Sequence, residues 1–427
     1  MPGTNEGGDG RNAEEWTRSV NRSANWLSTE EAAARLGVKK ETVYAYVSRG
    51  ILGRRKAVDG RASTFDANEV DRLRRQRLGE RRGHLDTPVT TAVTDVHDGY
   101  VAYRNTTLEE LAASGAGYEK AAALLWEQPH VDHWAAPSDV YDAVRTAMAA
   151  LPDRATLIDQ LITATVMASA KDPFRNDRDP QSATTSIRHL VAAAIEALPL
   201  KEPTRKTTPK RDPTIAQRLW PRLSPTPTHH GSILDQALML LADHGMASST
   251  MAARIAASTR SGPHAWVVAG LGALNGPLHG AAGRAVHLLL QRAETSGVED
   301  AIAEELRLNG KIPGLGHFIH RTRDPRFDIM MRSLQSSKLP KKRLTVVKSV
   351  FERTGERVAV PHNIDFALGA LTYAAGMSAD AGELIFATAR ISGWIAHGLE
   401  ELDQAPLRFR PIGRYEPLRP RPAPPLA

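Results

Sequence analysis

Apolar residues recur at helical spacing along most of this chain. The stretches Leu108 to Ala113, Tyr118 to Trp126, Ala155 to Ser169, Ile233 to Thr259, Leu344 to Arg353 and Gly382 to Leu402 are rich in Ala and Leu, with apolar positions three and four apart. That period lays one face of a helix against a core. The period-two alternation of half-buried strands is scarce, so the chain reads as mainly α. One segment interrupts the pattern. Prolines at 203, 209, 213, 221, 225 and 227 predict a long surface loop from Pro203 to Pro227, because each proline fixes φ and lacks an N–H.

The amino end is punctuated differently. In Ser28-Thr29-Glu30-Glu31, Ser28 can cap a helix while Glu31 reaches back to it. That helix runs through Leu36 and stops at Gly37. A second follows from Lys39 to Arg49, with Val43 and Val47 four apart and Gly50 as its stop. Two short helices about a tight turn form a helix-turn-helix pattern. Ile51 to Val58 and Arg61 to Phe65 then predict two strands about Asp59-Gly60, a pair that tolerates the positive φ of a two-residue turn. Asp66 caps a basic helix from Glu69 to Gly79. The chain thus divides into a flexible tail (1–24), a winged helix-turn-helix domain (25–78), a charged linker (79–90), a helical body (91–416) and a proline-rich tail (417–427).

Composition narrows the classes. Of 427 residues, 41% are hydrophobic and 24% charged, which fits a folded globular chain. The absence of cysteine excludes disulfide scaffolds, Cys-ligated zinc, iron–sulfur clusters and thiol catalysis. No run approaches the ~18 apolar residues of a membrane span, and the start has no basic-then-apolar export pattern, so a cytoplasmic location is expected. The net charge is +7, and residues 25–82 hold 14 Lys or Arg against 8 Asp or Glu. Nearly the whole excess therefore sits in the winged domain, which fits a polyanion partner such as DNA or, more blandly, a solvated face.

Candidate chemistry follows histidine. Four segments place His or Asp beside Gly or Pro, where the backbone is unusual and side chains can meet: Leu241-Ala242-Asp243-His244-Gly245, Asn275-Gly276-Pro277-Leu278-His279-Gly280, Pro313-Gly314-Leu315-Gly316-His317 running into Asp324-Pro325-Arg326, and Val360-Pro361-His362-Asn363-Ile364-Asp365-Phe366. Singly, each reads as a packed histidine or a helix cap. No His pair has i, i+4 spacing, so no metal site is expected.

Taken in order, the motifs DHG, GPLHGAA, PGLGH with DPR, NIDF and AR…GWIAHGLEE closely resemble the citrate synthase family. HDGYVAYRNTTLEELA and LLWEQP upstream and RFRPIGRY downstream extend the match over roughly residues 90 to 416. NWLSTEEAAARLGVKKETVYAYVSRGIL resembles the winged helix-turn-helix of the MerR and excisionase type. The resemblance implies a mainly α, citrate synthase-like homodimer. Its smaller domain, roughly 275–385, is inserted in a large one. The implied activity is an acyltransferase that joins acetyl-CoA to oxaloacetate and hydrolyses the thioester to citrate and CoA. Acetyl-CoA is a co-substrate, and neither cofactor nor metal is implied.

A thioester methyl is a very weak acid, so its carboxylate base must work beside a donor that stabilises the enolate oxygen. By resemblance, Asp365 is that base, His279 donates to the thioester carbonyl, and His317 polarises and protonates the ketone. Arg326, Arg390 and His244 are implied to hold oxaloacetate, with Arg410 reaching the neighbouring subunit's site; planar guanidinium suits a dicarboxylate. Arg321, Pro313, Gly314 and Gly316 are implied to receive CoA, while Trp394 and His397 are implied to support the site by packing. Lys39, Lys40, Thr42, Tyr46, Arg49 and Arg61 are the expected exposed residues for DNA. The chain departs from the family pattern at Ala247 (usually Asn), Gly283-Arg284 (commonly Asn-Glu), His320 (commonly Tyr) and His362 (frequently Pro). Two alternatives stay open: a 2-methylcitrate synthase using propionyl-CoA, and a DNA-binding regulator whose synthase body senses metabolites.

Overall fold

The computed structural model describes residues 26–48, 51–56, 63–67, 69–70, 73, 89–201, 212–227, 231–276, 279–280 and 282–410. Both tails, the hairpin tip Asp59-Gly60, most of the linker and of the expected basic helix, and residues Arg49 and Arg61 lie outside them. The chain divides into two units, Met1–Pro88 and Val89–Ala427.

In the first unit, β1 (Trp26–Ser28) leads directly into α1 (Thr29–Leu36). The expected capping box is present: Ser28 Oγ accepts from the Glu31 N–H at 3.2 Å and Glu31 accepts from the Ser28 N–H at 2.8 Å. Gly37, at φ +65°, ends the helix. After α2 (Lys40–Ser48), strands β2 (Arg55–Lys56) and β3 (Ser63–Asp66) pair antiparallel, and β1 pairs on the other side of β3 with Leu27 opposite Phe65. The strand at 26–28 was not legible in the sequence, because three residues cannot show an alternation. It forms because Leu27 and Phe65 both bury into a core with Ala32, Ala33, Leu36, Val43, Leu52 and Val70. Tyr46 corrects an expectation: it is half-buried and packs on that core, while Tyr44 is the exposed tyrosine of α2. With Val43 buried, a residue three positions later falls on the same inward face.

The second unit opens with a meander of β4 (Thr94–His97), β5 (Tyr100–Tyr103) and β6 (Thr106–Thr107), turning at Asp98-Gly99. Helices follow: α3 (Leu108–Ala113), α4 (Tyr118–Trp126), α5 (Ser138–Ala149), α6 (Leu157–Lys171), α7 (Pro180–Ala197), α8 (Ile215–Leu223), α9 (Gly231–Leu241), α10 (Ser248–Ser258), α11 (Pro263–Leu274), α12 (Ala282–Ser296), α13 (Val298–Asn309), α14 (Pro325–Gln335), α15 (Lys341–Arg357), α16 (Ile364–Ala374) and α17 (Ala381–Leu402). The last of these is buried on almost every side and packs against α4, α6, α9, α10 and α11, as an all-round apolar helix must. Helices α12, α13, α15 and α16 pack on one another, while α14 touches α16 on one side and α9 and α3 on the other.

Two expectations are corrected here. The proline-rich stretch is not all loop: Thr214 and Gln217 form a capping box, and Ile215, Leu219, Trp220 and Leu223 bury one face of α8 despite Pro221 within it. Ile233 to Thr259 is not one helix. It breaks between α9 and α10, where Gly245 takes φ +63° and its N–H turns back to Asp243 Oδ2 at 2.8 Å. Glycine takes that left-handed conformation without the Cβ penalty.

Candidate active site

The break between α9 and α10 displays His244. The buried Tyr103 hydroxyl sits 3.1 Å from the Met239 carbonyl oxygen and accepts from the Asp243 N–H at 3.2 Å, tying β5 to the end of α9. On the far side of Asp243, the His397 ring of α17 approaches its carboxylate at 3.3 Å, and the other His397 nitrogen lies 2.9 Å from Arg254. Trp394, also on α17, is fully buried.

A second loop, Pro313–His317, is fastened to the loop before α16. The Asn363 N–H donates to the Gly314 carbonyl at 3.0 Å, the Gly316 N–H donates to the Pro361 carbonyl at 2.8 Å, and the Asn363 amide donates to the Gly316 carbonyl at 2.6 Å. Gly314 has φ +78°, and a Cβ there would come within 2.7 Å of Phe366 Cβ, so this close approach requires glycine. Locking this loop fixes His317.

His317, His244 and His320 form a cluster with ring centroids 5.0 to 5.1 Å apart. The Ile319 and His320 N–H groups both donate to His317 Nδ1, at 3.1 and 3.2 Å. Its Nδ1 is therefore unprotonated, and the neutral ring carries its proton on Nε2. Burial, with Arg326 nearby, pushes its pKa down to about 4. Burial and the charges of Arg326 and Arg390 hold His244 well below the usual histidine range as well. Both rings are neutral donors near pH 7.

Asp324 caps α14 and grips Arg326 two residues on, accepting from its Nε and Nη2 at 2.9 Å each, and also accepts the Ile364 N–H at 3.0 Å. Burial works to raise the Asp324 pKa, but Arg326 and the other donors hold it below the ordinary value. Arg390, buried on α17, donates Nε to the Leu241 carbonyl at 3.0 Å and lies 4.6 Å over the Phe386 ring. Its Nη2 is buried with no partner among the described residues, a donor ready for an anion.

His279 flanks the same Phe386 ring, with centroids 6.0 Å apart, and its Nε2 lies 2.8 Å from Ser249 Oγ at the start of α10. Burial, then Arg390, lowers its pKa, so it too is neutral. Asp365 occupies the first turn of α16, behind the Asn363 cap. Burial raises its carboxyl to about 6, with Arg326 opposing and Asp324 adding to the rise.

The structure therefore gathers His244, His317, Arg326 and Arg390 and sets His279 and Asp365 within electrostatic reach of Arg390. It does not bring every expected residue in. Arg321 is exposed, its backbone N–H bound to Asp98 at 2.9 Å, and Arg410 is exposed at the end of the described chain. Pro313, Gly314 and Gly316 lie in the locked loop. In the first unit Lys39 and Lys40 are exposed, the latter paired with Glu30, and Thr42 is half-buried. Ser249, Asp324 and Phe386 were missed as site residues. The Asp-Pro-Arg run carried a signal for Asp324, since Asp before Pro is a helix start. Nothing in the sequence pairs Ser249 with His279.

Comparison with known proteins places the fold. Residues 84–415 match the family described as citrate synthase, C-terminal domain, and residues 26–78 match a helix-turn-helix domain. A citrate synthase of Acidithiobacillus ferridurans is 31% identical over 353 residues, covering 74% of this chain and 89% of the relative. A 2-methylcitrate synthase of Mycobacterium tuberculosis is 29% identical over 347 residues, covering 76% and 87%. Among solved structures, the citrate synthase of Thermotoga maritima superposes with a TM-score of 0.64 at 23% identity, covering 80% of this chain and 96% of that one, a likeness of fold. No helix among the described residues is long and apolar enough to cross a membrane. Its carboxy-terminal three quarters make this chain a member of the citrate synthase family.

Proposed function

We propose that the protein condenses an acyl-CoA thioester with oxaloacetate and hydrolyses the product thioester, giving citrate from acetyl-CoA. One observation carries this reading: buried Arg390 lies over the Phe386 ring that His279 also flanks, its Nη2 has no partner among the described residues, and its charge acts on His244 and Asp365 as well. A base, a thioester donor and a ketone-side donor are thus all within the field of one cation. Asp365 removes a methyl proton from the thioester while His279 donates to the carbonyl oxygen that becomes enolic. The new carbon–carbon bond forms at the ketone of oxaloacetate, whose oxygen receives the Nε2 proton of His317. Water then cleaves the thioester and frees CoA. A carboxyl raised to about 6 is largely ionised at neutral pH, yet basic enough to assist.

Arg326 and Arg390 hold the two carboxylates of oxaloacetate, Arg390 through the Nη2 that has no partner among the described residues. Arg410 completes the site of a second copy in a homodimer, Arg321 meets a CoA phosphate, and the loop Pro313–Gly316 receives the CoA adenine. Helices α12–α16 form the smaller domain. Acetyl-CoA is the preferred donor in this reading; propionyl-CoA, giving 2-methylcitrate, differs by one methylene, worth ~1–3 kcal/mol in a pocket. Thiol release from each donor with oxaloacetate tests both points. Release with neither donor rejects the reading, and the ratio of kcat/KM values assigns the donor.

The first unit is read as a DNA-binding module, on the exposed Lys39 and the helix-turn-helix match at residues 26–78. Its binding to random duplex should weaken steeply with salt. No binding at low salt removes this reading.

A further inference from the structure

We infer that His320 is a positioning residue that sets the protonation pattern of the ketone-side donors, through its ring for His244 and through its main chain for His317. The inference rests on the proposed condensation for its kinetic consequence, but not for its geometry.

His320 Nε2 lies 2.9 Å from His244 Nε2, and both rings are buried. That separation requires one hydrogen between the two nitrogens, so one ring donates and the other accepts. Two observations assign the donor. First, His320 Nδ1 is buried with no partner among the described residues. A bare lone pair there costs less than a stranded N–H, so the ring proton sits on Nε2. Second, Asp324 Oδ1 lies 4.0 Å from His320 Nε2, and a carboxylate at that range favours hydrogen on the nitrogen facing it. His320 therefore donates to His244 Nε2. His244 accepts there and carries its own proton on Nδ1.

The groups facing His320 agree with this. Burial makes a second proton on the pair costly, and Arg326 adds to that cost while also holding Asp324, the carboxylate that opposes it. The main-chain N–H of the same residue, with that of Ile319, donates to His317 Nδ1 and leaves that proton on Nε2. One residue thus turns two neighbouring imidazoles into donors of fixed sense. A ring free to exchange tautomers would present a lone pair to the substrate oxygen part of the time.

The test uses a difference in reach. The Gln amide nitrogen stands near the place of imidazole Nε2, whereas Asn reaches only as far as Nδ1. In the full-length protein, His320→Gln should keep the KM for oxaloacetate within about threefold of wild type. His320→Asn should raise it about tenfold, with a smaller change in kcat, the loss expected for one misdirected hydrogen bond. Both variants bury one amide, so thermal melting should be similar and serves as the control for folding. Equal KM values in the two variants would overturn the inference. Nitrogen-15 NMR of histidine-labelled wild type reads the tautomer without turnover: His244 protonated on Nδ1 is expected, and His244 protonated on Nε2 would refute the assignment even if the protein proved not to be a synthase. Failure of the condensation reading would instead appear as no CoA release by wild type.

Discussion

The two sides of the site treat buried charge in opposite ways. On the ketone side the buried carboxylate is matched, while Arg390 keeps a buried nitrogen without a partner among the described residues. Asp324 holds Arg326 through two bonds, and His317 is fixed by two main-chain donors. On the acyl side, Asp365 is raised to about 6 by burial, and the two arginines acting on it are committed elsewhere in part, Arg326 to Asp324 and Arg390 to the Leu241 carbonyl. The lesson is that a charge meant to stay put is paired, while a group meant to exchange a proton is left short of partners.

The sharpest way to break this contrast is to remove the exchanging group. Asp365→Ala should lower kcat about a thousandfold, measured by thiol release, with no loss of thermal stability. Activity equal to wild type would refute the assigned base. On the other side the loss should fall on the fold. Asp324→Ala leaves Arg326 buried and unpaired, and urea unfolding should show a loss of about 3–5 kcal/mol. A loss under about 1 kcal/mol would mean that the pair is not structural.

The third test concerns the cost of leaving Asp365 ionised. Its folded pKa lies above the ordinary 3.8, so the folded state binds the proton more tightly than the unfolded chain. Below about pH 4 both states are protonated and nothing is lost, whereas above pH 6 ionisation costs up to about 3 kcal/mol. Asp365→Asn should therefore stabilise the fold at pH 7.5 by up to that amount, with the gain vanishing near pH 4. An equal gain at both pH values would locate the effect elsewhere. The smallest effect is on rate. Log kcat/KM should rise with unit slope to a midpoint near pH 6 and then level, about tenfold per unit below it. His317, held near 4, adds no second limb in that range.

Much of the scaffold was legible in the sequence where periodicity and punctuation agree. The bounds of α3 and α4 follow from their apolar spacing, and α1 from its capping box and Gly37. Legibility failed where one residue changes the backbone's direction. The apolar spacing from Ile233 to Thr259 runs on through Gly245, and only the Asp-His-Gly motif marks the unusual backbone whose left-handed turn delivers His244. The meander at 94–107 and the strand at 26–28 were hidden because their strands are too short for alternation, and α8 because its prolines outweighed its apolar face. Within the site, His244, His317, Arg326 and Arg390 were selected by motif and the fold brings them together. Ser249 became visible only through its contact with His279, and the grip of Asp324 on Arg326 only through the fold, since the partner a side chain meets is not written in local spacing.

One contact also bears on the order in which the molecule is assembled. The Asp98 carboxylate, at the tip of the first hairpin of the synthase body, accepts the main-chain N–H groups of Arg321 and Thr322, a span of 223 and 224 residues. During synthesis from the amino end, that hairpin waits for more than half the chain to emerge before its partner exists. Contacts of such length form late, after the loop-closure entropy has been met. The helix-turn-helix unit, whose strands and helices all lie within a few dozen residues, can close while the catalytic half is still being made. A nascent chain released too early would therefore hold a folded head with no acid–base site, its hairpin tip still without the main-chain N–H groups that bind it.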